Sequence, residues 1–218
     1  MGHLVITIGC EYGAKGNAIG RKIAEDLGIK FYDRELVDQI IEEVGIRRHH
    51  EPCRRGRYDC RKRSRGRCPW ILLKYADLTE RAIHVQKQII RKLAEKEACV
   101  IIGRSADYIL KDSKDIKLLR AFIYAPDEIR ISEYHEEPQP FRERCKNSAA
   151  REDKRYHKRH LALTGSNRGD RHNRDILINS AFLGVEGTAE YLEELIQKKY
   201  GSGRNKPWNR KNQNLTKC

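Results

Sequence analysis

The chain lacks the segments that mark membrane-spanning and exported proteins. Its longest apolar runs are only a handful of residues, too short for a helix that crosses a bilayer. The N-terminus has no charged segment followed by a long apolar one, which argues against a secretory signal. Its seven cysteines are an odd number without CxxC spacing, which is typical of reduced thiols. We therefore expect a cytoplasmic protein that has no membrane partner.

Net positive charge is scarce outside two segments, although the whole chain carries a formal net charge of +14. Residues 47–70 hold ten Lys and Arg against two acidic residues, and residues 201–218 hold five against none. The rest of the chain is therefore nearly neutral. Strongly basic proteins often bind nucleic acid, but here these two arms are the parts suited to a phosphate backbone.

The first basic arm also lacks the residues that build a core. Residues 47–70 contain no Ile, Leu, Val, Phe or Met, so we expect this arm to be disordered or loosely looped when free. We expect the same of the tail at 201–218. Cys53, Cys60 and Cys68 have six and seven residues between them, whereas zinc sites favour pairs with two to four residues between them. The spacing therefore does not favour a metal site.

Elsewhere the apolar residues follow an alternation of strand and helix. The apolar and β-branched run from His3 predicts a strand, and the helical spacing that ends at Gly28 predicts a helix. Strands separated by ten or more helical residues imply right-handed crossovers and a parallel sheet. The predicted strands lie at about 3–8, 30–32, 98–102, 118–124 and 176–179, and the main helices at 19–27, 33–44, 77–97, 148–163 and 186–199.

Three segments that could bind a ligand follow predicted strands. They are the glycine-rich turn Gly9-Cys-Glu-Tyr-Gly-Ala-Lys-Gly16, the pair Tyr32-Asp33 and the pair Gly103-Arg104. In parallel sheets the ligand binds beyond the carboxyl ends of the strands, so we expect the three to meet at one edge. A glycine-rich bend before a helix presents unpaired N–H groups beside a positive helix end and can bind phosphate. The simpler alternative is a tight β–α turn with a solvated lysine.

At this point the motifs resemble those of the cytidylate kinase-like family, a branch of the P-loop nucleoside monophosphate kinases. The resemblance covers about residues 3–45, 77–132 and 164–198. The motifs that carry it are Ile8-Gly-Cys-Glu-Tyr-Gly-Ala-Lys-Gly16, Phe31-Tyr-Asp-Arg-Glu-Leu36, Val100-Ile-Ile-Gly-Arg-Ser-Ala106, Phe122-Ile-Tyr-Ala-Pro126, and Thr164-Gly followed by Gly169-Asp170.

The resemblance implies an α/β fold with a five-stranded parallel sheet flanked by helices, a monophosphate-binding insertion and a mobile lid. It also implies transfer of the ATP γ-phosphoryl group, with Mg²⁺, to a nucleoside monophosphate such as CMP or dCMP. On this interpretation residues 1–200 form the kinase-like domain. The irregular basic insertion occupies 46–76, the lid about 133–150, and the disordered tail 201–218.

The resemblance places the ATP phosphates on the turn, where they would contact Gly13, Ala14, Lys15, Gly16 and Asn17. The turn departs from a standard Walker A loop, because its lysine lies one place early. Lys15 is therefore either catalytic or simply solvated. The side-chain oxygen of Asn17 could reach Mg²⁺ or its water shell.

For the acceptor, the resemblance points to Asp33, Arg34, Arg104 and Ser105. Arg104 is the strongest candidate, because arginine presents a rigid fork of donors that matches phosphate oxygens. The family usually has an aspartate after this arginine that helps to read cytosine, so Ser105 leaves the base open. Asp33 could instead be a helix cap, and Arg34 a surface charge.

The basic segment at 151–159 follows the expected lid. Arg151 and Arg155 are four residues apart, share a helix face and could stabilise the transferring phosphate as catalytic residues. A solvent-exposed charged face is the alternative. Further along, Arg168 and Arg174 stand where the family has tryptophan and tyrosine, a change that we interpret as one of packing.

Two other functions are consistent with the residues. A nucleotide-binding protein with little kinase activity would explain the departures from the Walker A pattern and the unusual segment at 47–70. An RNA-binding adaptor would use the two basic arms, although the chain has no aromatic RNA-recognition motif. Nothing in the residues points to a particular oligomeric state.

Overall fold

The computed structural model describes residues 2–33, 69–131 and 139–201, with side chains at all of these positions except 69–82 and 139–142. Several predicted features lie outside the described residues: the helix expected at 33–44, Arg34, most of the basic insertion and the tail beyond residue 201.

The strands are β1 (His3–Cys10), β2 (Lys30–Tyr32), β3 (Cys99–Ile102), β4 (Ile116–Tyr124) and β5 (Ile176–Asn179). The helices are α1 (Gly16–Leu27), α2 (Pro69–Lys96), α3 (Ala106–Ile109), α4 (Asp127–Arg130), α5 (Gln139–Thr164) and α6 (Ser180–Tyr200), with a 3₁₀ turn at Arg171–Asn173.

The five strands form one parallel sheet in the order β2-β3-β1-β4-β5. The central strand β1 pairs with β3 on one side, where Ile8 lies opposite Ile102, and with β4 on the other, where Ile8 lies opposite Ala121. The predicted α/β fold is therefore confirmed. Because all pairs are parallel, the segments that follow β1, β2 and β3 emerge at the same edge of the sheet.

Alternation along β1 divides the core into two layers. Ile6 and Ile8 face the layer that contains Ile19 and Ile23 of α1 and Leu192 of α6. On the opposite face, Val5 packs in a second cluster with Ile90 of α2 and with Ile101 and Leu110. The sheet is thus covered on both faces, which leaves its carboxyl edge as the open region for a ligand.

Three helices begin well before the residues predicted for them. Asp77 and Glu80 have the spacing of a capping pair, which predicts that the helix begins at Asp77. The helix begins instead at Pro69, so Asp77 is not its cap and the insertion is not irregular over 69–76. Proline is well suited to a first helical turn, where its missing N–H costs nothing. Residues 139–150 of the expected lid are helical and continuous with the basic segment in α5. Helix α6 begins at Ser180 rather than at 186, with a kink at Gly184.

Two smaller expectations can be compared with the structure. Cys99 and Cys145 are free thiols, in agreement with the prediction of reduced cysteines. Across the described parts of the chain, no helix is both long enough and apolar enough to span a membrane.

Candidate functional site

The glycine-rich turn has the backbone geometry of an anion-binding loop. Gly13 and Lys15 both adopt left-handed conformations, with φ of 81° and 60°, and α1 begins directly afterwards at Gly16. The N–H of Ile19 donates to the oxygen of Lys15 at 3.0 Å and starts the helix. Helix geometry leaves the N–H groups of Gly16, Asn17 and Ala18 without acceptors inside α1, so they are available to an anion.

Two glycines of this turn are required by close packing. A Cβ on Gly16 would lie 2.5 Å from the Cβ of Cys10, and a Cβ on Gly13 would lie 2.4 Å from the backbone oxygen of Arg130. The turn is therefore pressed against β1 on one side and against α4 on the other. Ala14 is fully buried beneath it, and its oxygen accepts a hydrogen bond of 3.0 Å from the Ser180 hydroxyl.

A cavity of about 270 Å³ lies over the turn. Its lining includes four of the five predicted phosphate-site residues, and Asp33 from the end of β2. The lining residues are Cys10, Glu11, Tyr12, Gly13, Lys15, Gly16, Asn17, Asp33, Ile102 and Tyr156. The structure thus brings the turn and Asp33 together as predicted, while the side chain of Ala14 points elsewhere. The Asp33 carboxylate lies 3.9 Å from the guanidinium of Arg21.

This cavity has the oxygen donors that a small, hard cation requires. Asn17 offers an amide oxygen and Asp33 a carboxylate, and Mg²⁺ in nucleotide sites is held by one or two such protein groups together with phosphates. The residues therefore fit Mg²⁺ bound jointly with a nucleotide. In the described ranges no group of three or more His, Cys, Asp or Glu side chains is arranged to hold a metal ion by itself.

Asp153 of α5 ties the long helix to the turn. Its carboxylate accepts a hydrogen bond of 2.9 Å from the Tyr12 N–H and one of 3.0 Å from Arg168, and it forms an ion pair with Arg130. Arg130 also donates to the backbone oxygen of Tyr12 at 2.6 Å, and Arg168 donates to that of Cys10. One acid and two partly buried arginines therefore hold the backbone of the turn.

The segment after β3 adopts an unusual backbone. Gly103, Arg104 and Ser105 have φ of 70°, 55° and 53°, three successive residues in the left-handed region. Such conformations cost free energy for non-glycine residues and persist where the surrounding fold imposes them. Here the Gly103 N–H donates to the backbone oxygen of Ile8 at 2.9 Å, and the side-chain amide of Gln86 donates to the backbone oxygen of Arg104 at 2.9 Å. The fold thus fixes Arg104 at the carboxyl edge.

A second cavity, of about 430 Å³, lies beside Arg104. Its wall is strongly basic, with one carboxylate, that of Asp107. Ser105 and Tyr156 also line it, and Tyr156 lines the cavity over the turn as well. The basic residues of the wall are Arg104, Arg155, Lys158, Arg159, Arg168 and Arg174. Such a wall favours an anionic ligand.

The two predicted lid arginines occupy different environments. Arg155 lines the larger cavity, and its guanidinium lies 5.2 Å from the ring centre of Tyr156. Arg151 is exposed and is absent from the lining of both described cavities. The structure thus brings Arg155, but not Arg151, to the wall beside Arg104.

Arg174 and Asp107 form a buried ion pair in that wall, with side chains 2% and 7% exposed. Arg174 also donates to the backbone oxygens of Arg168 at 2.8 Å and of Asn173 at 3.0 Å. Asp107 is thus already neutralised by Arg174, the residue at the position of the family's tyrosine. Arg168 lines the same cavity and, in addition, contacts the turn.

Sequence reasoning missed Arg130, Asp153 and Gln86. The sequence alone could have drawn attention to Asp153, because it is an acidic residue inside a basic helical segment. Arg130 follows Pro126 by one helical turn and had no comparable signal. Gln86 is 3% exposed in the middle of α2, where its sequence position resembles that of any core residue. Only the structure shows that its amide contacts the Arg104 backbone oxygen and that its side-chain oxygen accepts from Arg159 at 3.1 Å.

A family of known proteins matches the part of the chain that contains both cavities. The family model described as "Cytidylate kinase-like family" matches residues 5–181. No match to the chain was found among curated proteins.

Solved structures with a similar fold exist. A crystal structure of an uncharacterized protein from Eubacterium ventriosum is 25% identical, has a TM-score of 0.67, and the match covers 90% of this chain and 99% of that chain. A shikimate kinase from Acinetobacter baumannii in complex with shikimate is 16% identical with a TM-score of 0.46, covering 92% and 96%. A shikimate kinase from Bacteroides thetaiotaomicron is 12% identical with a TM-score of 0.49, covering 89% and 98%.

Proposed function

The chain belongs to the cytidylate kinase-like family, and on that premise we propose that it transfers the γ-phosphoryl group of ATP to a nucleoside monophosphate, CMP or dCMP first among them. One observation carries the proposal: the cavity over the glycine-rich turn and the basic cavity beside Arg104 are neighbours that share Tyr156. A phosphoryl transferase needs a donor and an acceptor site that meet in this way, because catalysis rests on positioning and charge stabilisation.

The donor site is the turn. The N–H groups at the start of α1 and the positive end of its dipole would hold the ATP phosphates, with Gly13 and Ala14 shaping the loop. Lys15 adds a cation at the same cavity. Asp153, Arg130 and Arg168 would keep the loop in its binding conformation, since they hold the backbone of Cys10 and Tyr12.

The acceptor site is the basic cavity. The guanidinium fork of Arg104 would bind the monophosphate, and Ser105 beside it would contact the nucleoside. Arg155 would offset negative charge that develops during transfer, and Arg151 on the same helix would reach the site if α5 moved closer. Arg34 belongs to this proposal from the sequence and lies outside the described residues.

Asp33 and Asn17 would hold Mg²⁺ together with the bound nucleotide. The ion, when bound, would neutralise phosphate charge and orient the phosphates. The family resemblance also assigns Asp33 to the acceptor, and of the two cavities Asp33 lines the one over the turn.

The test is release of ADP from Mg-ATP in the presence of CMP, dCMP, UMP, AMP or GMP, with a control that lacks an acceptor. Turnover with one pyrimidine monophosphate would support the proposal and identify the substrate. A folded sample that binds ATP and phosphorylates none of these acceptors would contradict it, and would favour a nucleotide-binding protein with little kinase activity.

A variant locates the donor site independently of turnover. Gly16→Val places a branched side chain where even a Cβ would lie 2.5 Å from Cys10, so the turn should lose its shape. We expect ATP binding, measured by calorimetry, to be abolished while the circular dichroism spectrum is retained. Retained ATP affinity would show that the phosphates bind elsewhere.

A further inference from the structure

Ser105 and His160 form a hydrogen-bonded pair on the wall of the basic cavity. Ser105 Oγ lies 2.8 Å from His160 Nδ1, across 55 residues of sequence. Ser105 is placed there by the left-handed segment after β3, and His160 by the last turns of α5. The pair stands directly beside Arg104, on the wall to which the acceptor is assigned.

The second nitrogen of this histidine is buried and has no hydrogen-bond partner. His160 is 4% exposed, and within the described part of the chain nothing bonds to its Nε2. A buried polar atom without a partner costs free energy in the ligand-free protein, so it calls for an explanation. A ligand that enters the cavity beside it would supply the missing partner.

The imidazole is neutral at physiological pH. Burial lowers the pKa of His160, and the positive charges of Arg174 and Arg168 lower it further, against the opposing effect of Asp107. A neutral imidazole has one N–H and one acceptor nitrogen. Because Ser105 can donate to Nδ1 or accept from it, the serine determines whether Nε2 donates or accepts.

The rest of the wall offers mainly donors. Arginine and lysine side chains cannot accept a hydrogen bond. Two acceptors on the wall are already engaged: Asp107 by Arg174, and the oxygen of Gln86 by Arg159 at 3.1 Å. A nucleobase presents donors and acceptors side by side, so a wall of cations alone could bind the phosphate without distinguishing the base.

We propose that the Ser105–His160 pair reads the base of the acceptor nucleotide, with His160 Nε2 bonding to the hydrogen-bonding edge of the base and Ser105 setting the tautomer. The inference rests on the proposed function and extends it to base specificity. It also gives a role to the serine found where the family usually has an aspartate. Arg104 then binds the phosphate, and the pair discriminates among bases.

The experiment measures binding of CMP, UMP, AMP and ribose 5-phosphate by calorimetry, because the last of these has the phosphate and sugar but no base. His160→Asn keeps a polar group near the Nδ1 position and removes Nε2. We expect the affinity for the preferred nucleotide to fall at least tenfold, while the affinity for ribose 5-phosphate is unchanged. His160→Gln, which places an amide near the Nε2 position, should recover part of the loss.

Two controls separate base reading from a structural role. His157→Gln changes a histidine on the same helix that does not line the cavity, and it should leave all four affinities unchanged. In the wild-type protein with ¹⁵N-labelled imidazoles, the Nε2 resonance of His160 should shift on addition of the nucleotide and not of ribose 5-phosphate. This spectrum needs no variant, so it decides the question even where a variant fails to fold.

Each other outcome overturns the inference. An equal loss of nucleotide and ribose 5-phosphate affinity would assign His160 a structural role, and no loss in His160→Asn would remove it from the site. Both leave the kinase proposal standing. Wild-type protein that binds ATP but none of the nucleoside monophosphates would instead overturn the proposed function, and the base-reading pair with it.

Discussion

The backbone N–H of Tyr12 donates to the carboxylate of Asp153 at 2.9 Å, and this bond joins the glycine-rich turn to a helix 141 residues further along the chain. The same helix, α5, carries Arg155 and Tyr156, which line the basic cavity. The cavities proposed for the donor and the acceptor therefore share one structural support. A helix held at the turn by Asp153 can position both cavities at once.

Removing the Asp153 charge should destabilise the protein. In Asp153→Asn, Arg130 would lose its shortest ion pair and keep those with Glu11 and Asp127, while its side chain is only 9% exposed. A buried cation that loses its main partner costs about 2 kcal/mol. We expect urea unfolding to show that loss, together with a higher KM for ATP, because the turn loses its support.

Glu152→Gln provides the matched control. The neighbouring residue pairs with Arg155, whose side chain is 68% exposed, so the free energy of unfolding should change by less than about 1 kcal/mol. Similar losses in the two variants would indicate that Asp153 stabilises the protein only as a surface charge.

Gly13→Ala tests the packing of the turn against α4. Gly13 and Gly28 both have positive φ, but a Cβ on Gly13 would lie 2.4 Å from the Arg130 oxygen, whereas a Cβ on Gly28 would meet nothing within 4 Å. Gly28→Ala should therefore cost only backbone strain of about 1 kcal/mol and leave ATP binding intact. Gly13→Ala should cost more and weaken ATP binding in calorimetry. Equal effects would mean that the contact with Arg130 does not shape the site.

Sequence reasoning found the parts of the site that are local. A strand, a glycine-rich turn and a helix follow one another in the chain, so the turn from Gly13 to Asn17 could be recognised directly. Asp33 and Arg104 could be placed at the same edge, because parallel strands end together. Each of these predictions needed only short segments and one topological rule.

The missed residues act through contacts between distant segments. Asp153 and Arg130 reach the turn from two separate helices and meet there with Arg168, and no spacing in the sequence relates them. The Ser105–His160 pair depends in the same way on how α5 docks. The start of α2 was misjudged for a different reason: Asp77 and Glu80 have the spacing of a capping pair, but that spacing also occurs inside a continuing helix.

Arg104→Ala should impair use of the acceptor without impairing use of ATP. If Arg104 binds the monophosphate, its removal should raise the acceptor KM or lower kcat by tenfold or more, with the KM for ATP nearly unchanged. Arg104→Lys should remain impaired, because lysine lacks the planar fork. Arg91→Ala, an exposed change on α2, is the control. Steady-state kinetics that are the same in Arg104→Ala and wild type would remove Arg104 from the site.

Breaking the buried pair in the cavity wall should be more costly than breaking an exposed one. Asp107→Asn leaves Arg174 charged with a side chain 2% exposed, and such losses typically cost about 3–5 kcal/mol. Lys22→Gln breaks an exposed pair with Asp26 and should cost far less, because water screens both charges. Chemical denaturation compares the two. Equal costs would show that water reaches Arg174 in solution.

Glu193 on α6 should make stability depend on pH near neutrality. Burial raises the pKa of Glu193 to about 7, and the negative charge of Asp26 on α1 adds to the effect. In the unfolded chain the pKa of a glutamate is about 4.3. Between these values the native state keeps a proton that the unfolded state releases, so stability should fall as the pH rises through this window.

Glu193→Gln removes the titratable carboxyl group, and with it this dependence of stability on pH. We expect the variant to match wild type at pH 4 and to be more stable at pH 8, by about 1 kcal/mol once solvent screening at this half-buried position is allowed for. Urea unfolding at the two pH values measures the difference. Glu194→Gln, one position further along the same helix and exposed, should give equal shifts at both pH values. A Glu193→Gln variant whose advantage is the same at pH 4 and pH 8 would mean that Glu193 ionises at its ordinary pKa, and that α1 and α6 pack without a neutral carboxyl between them.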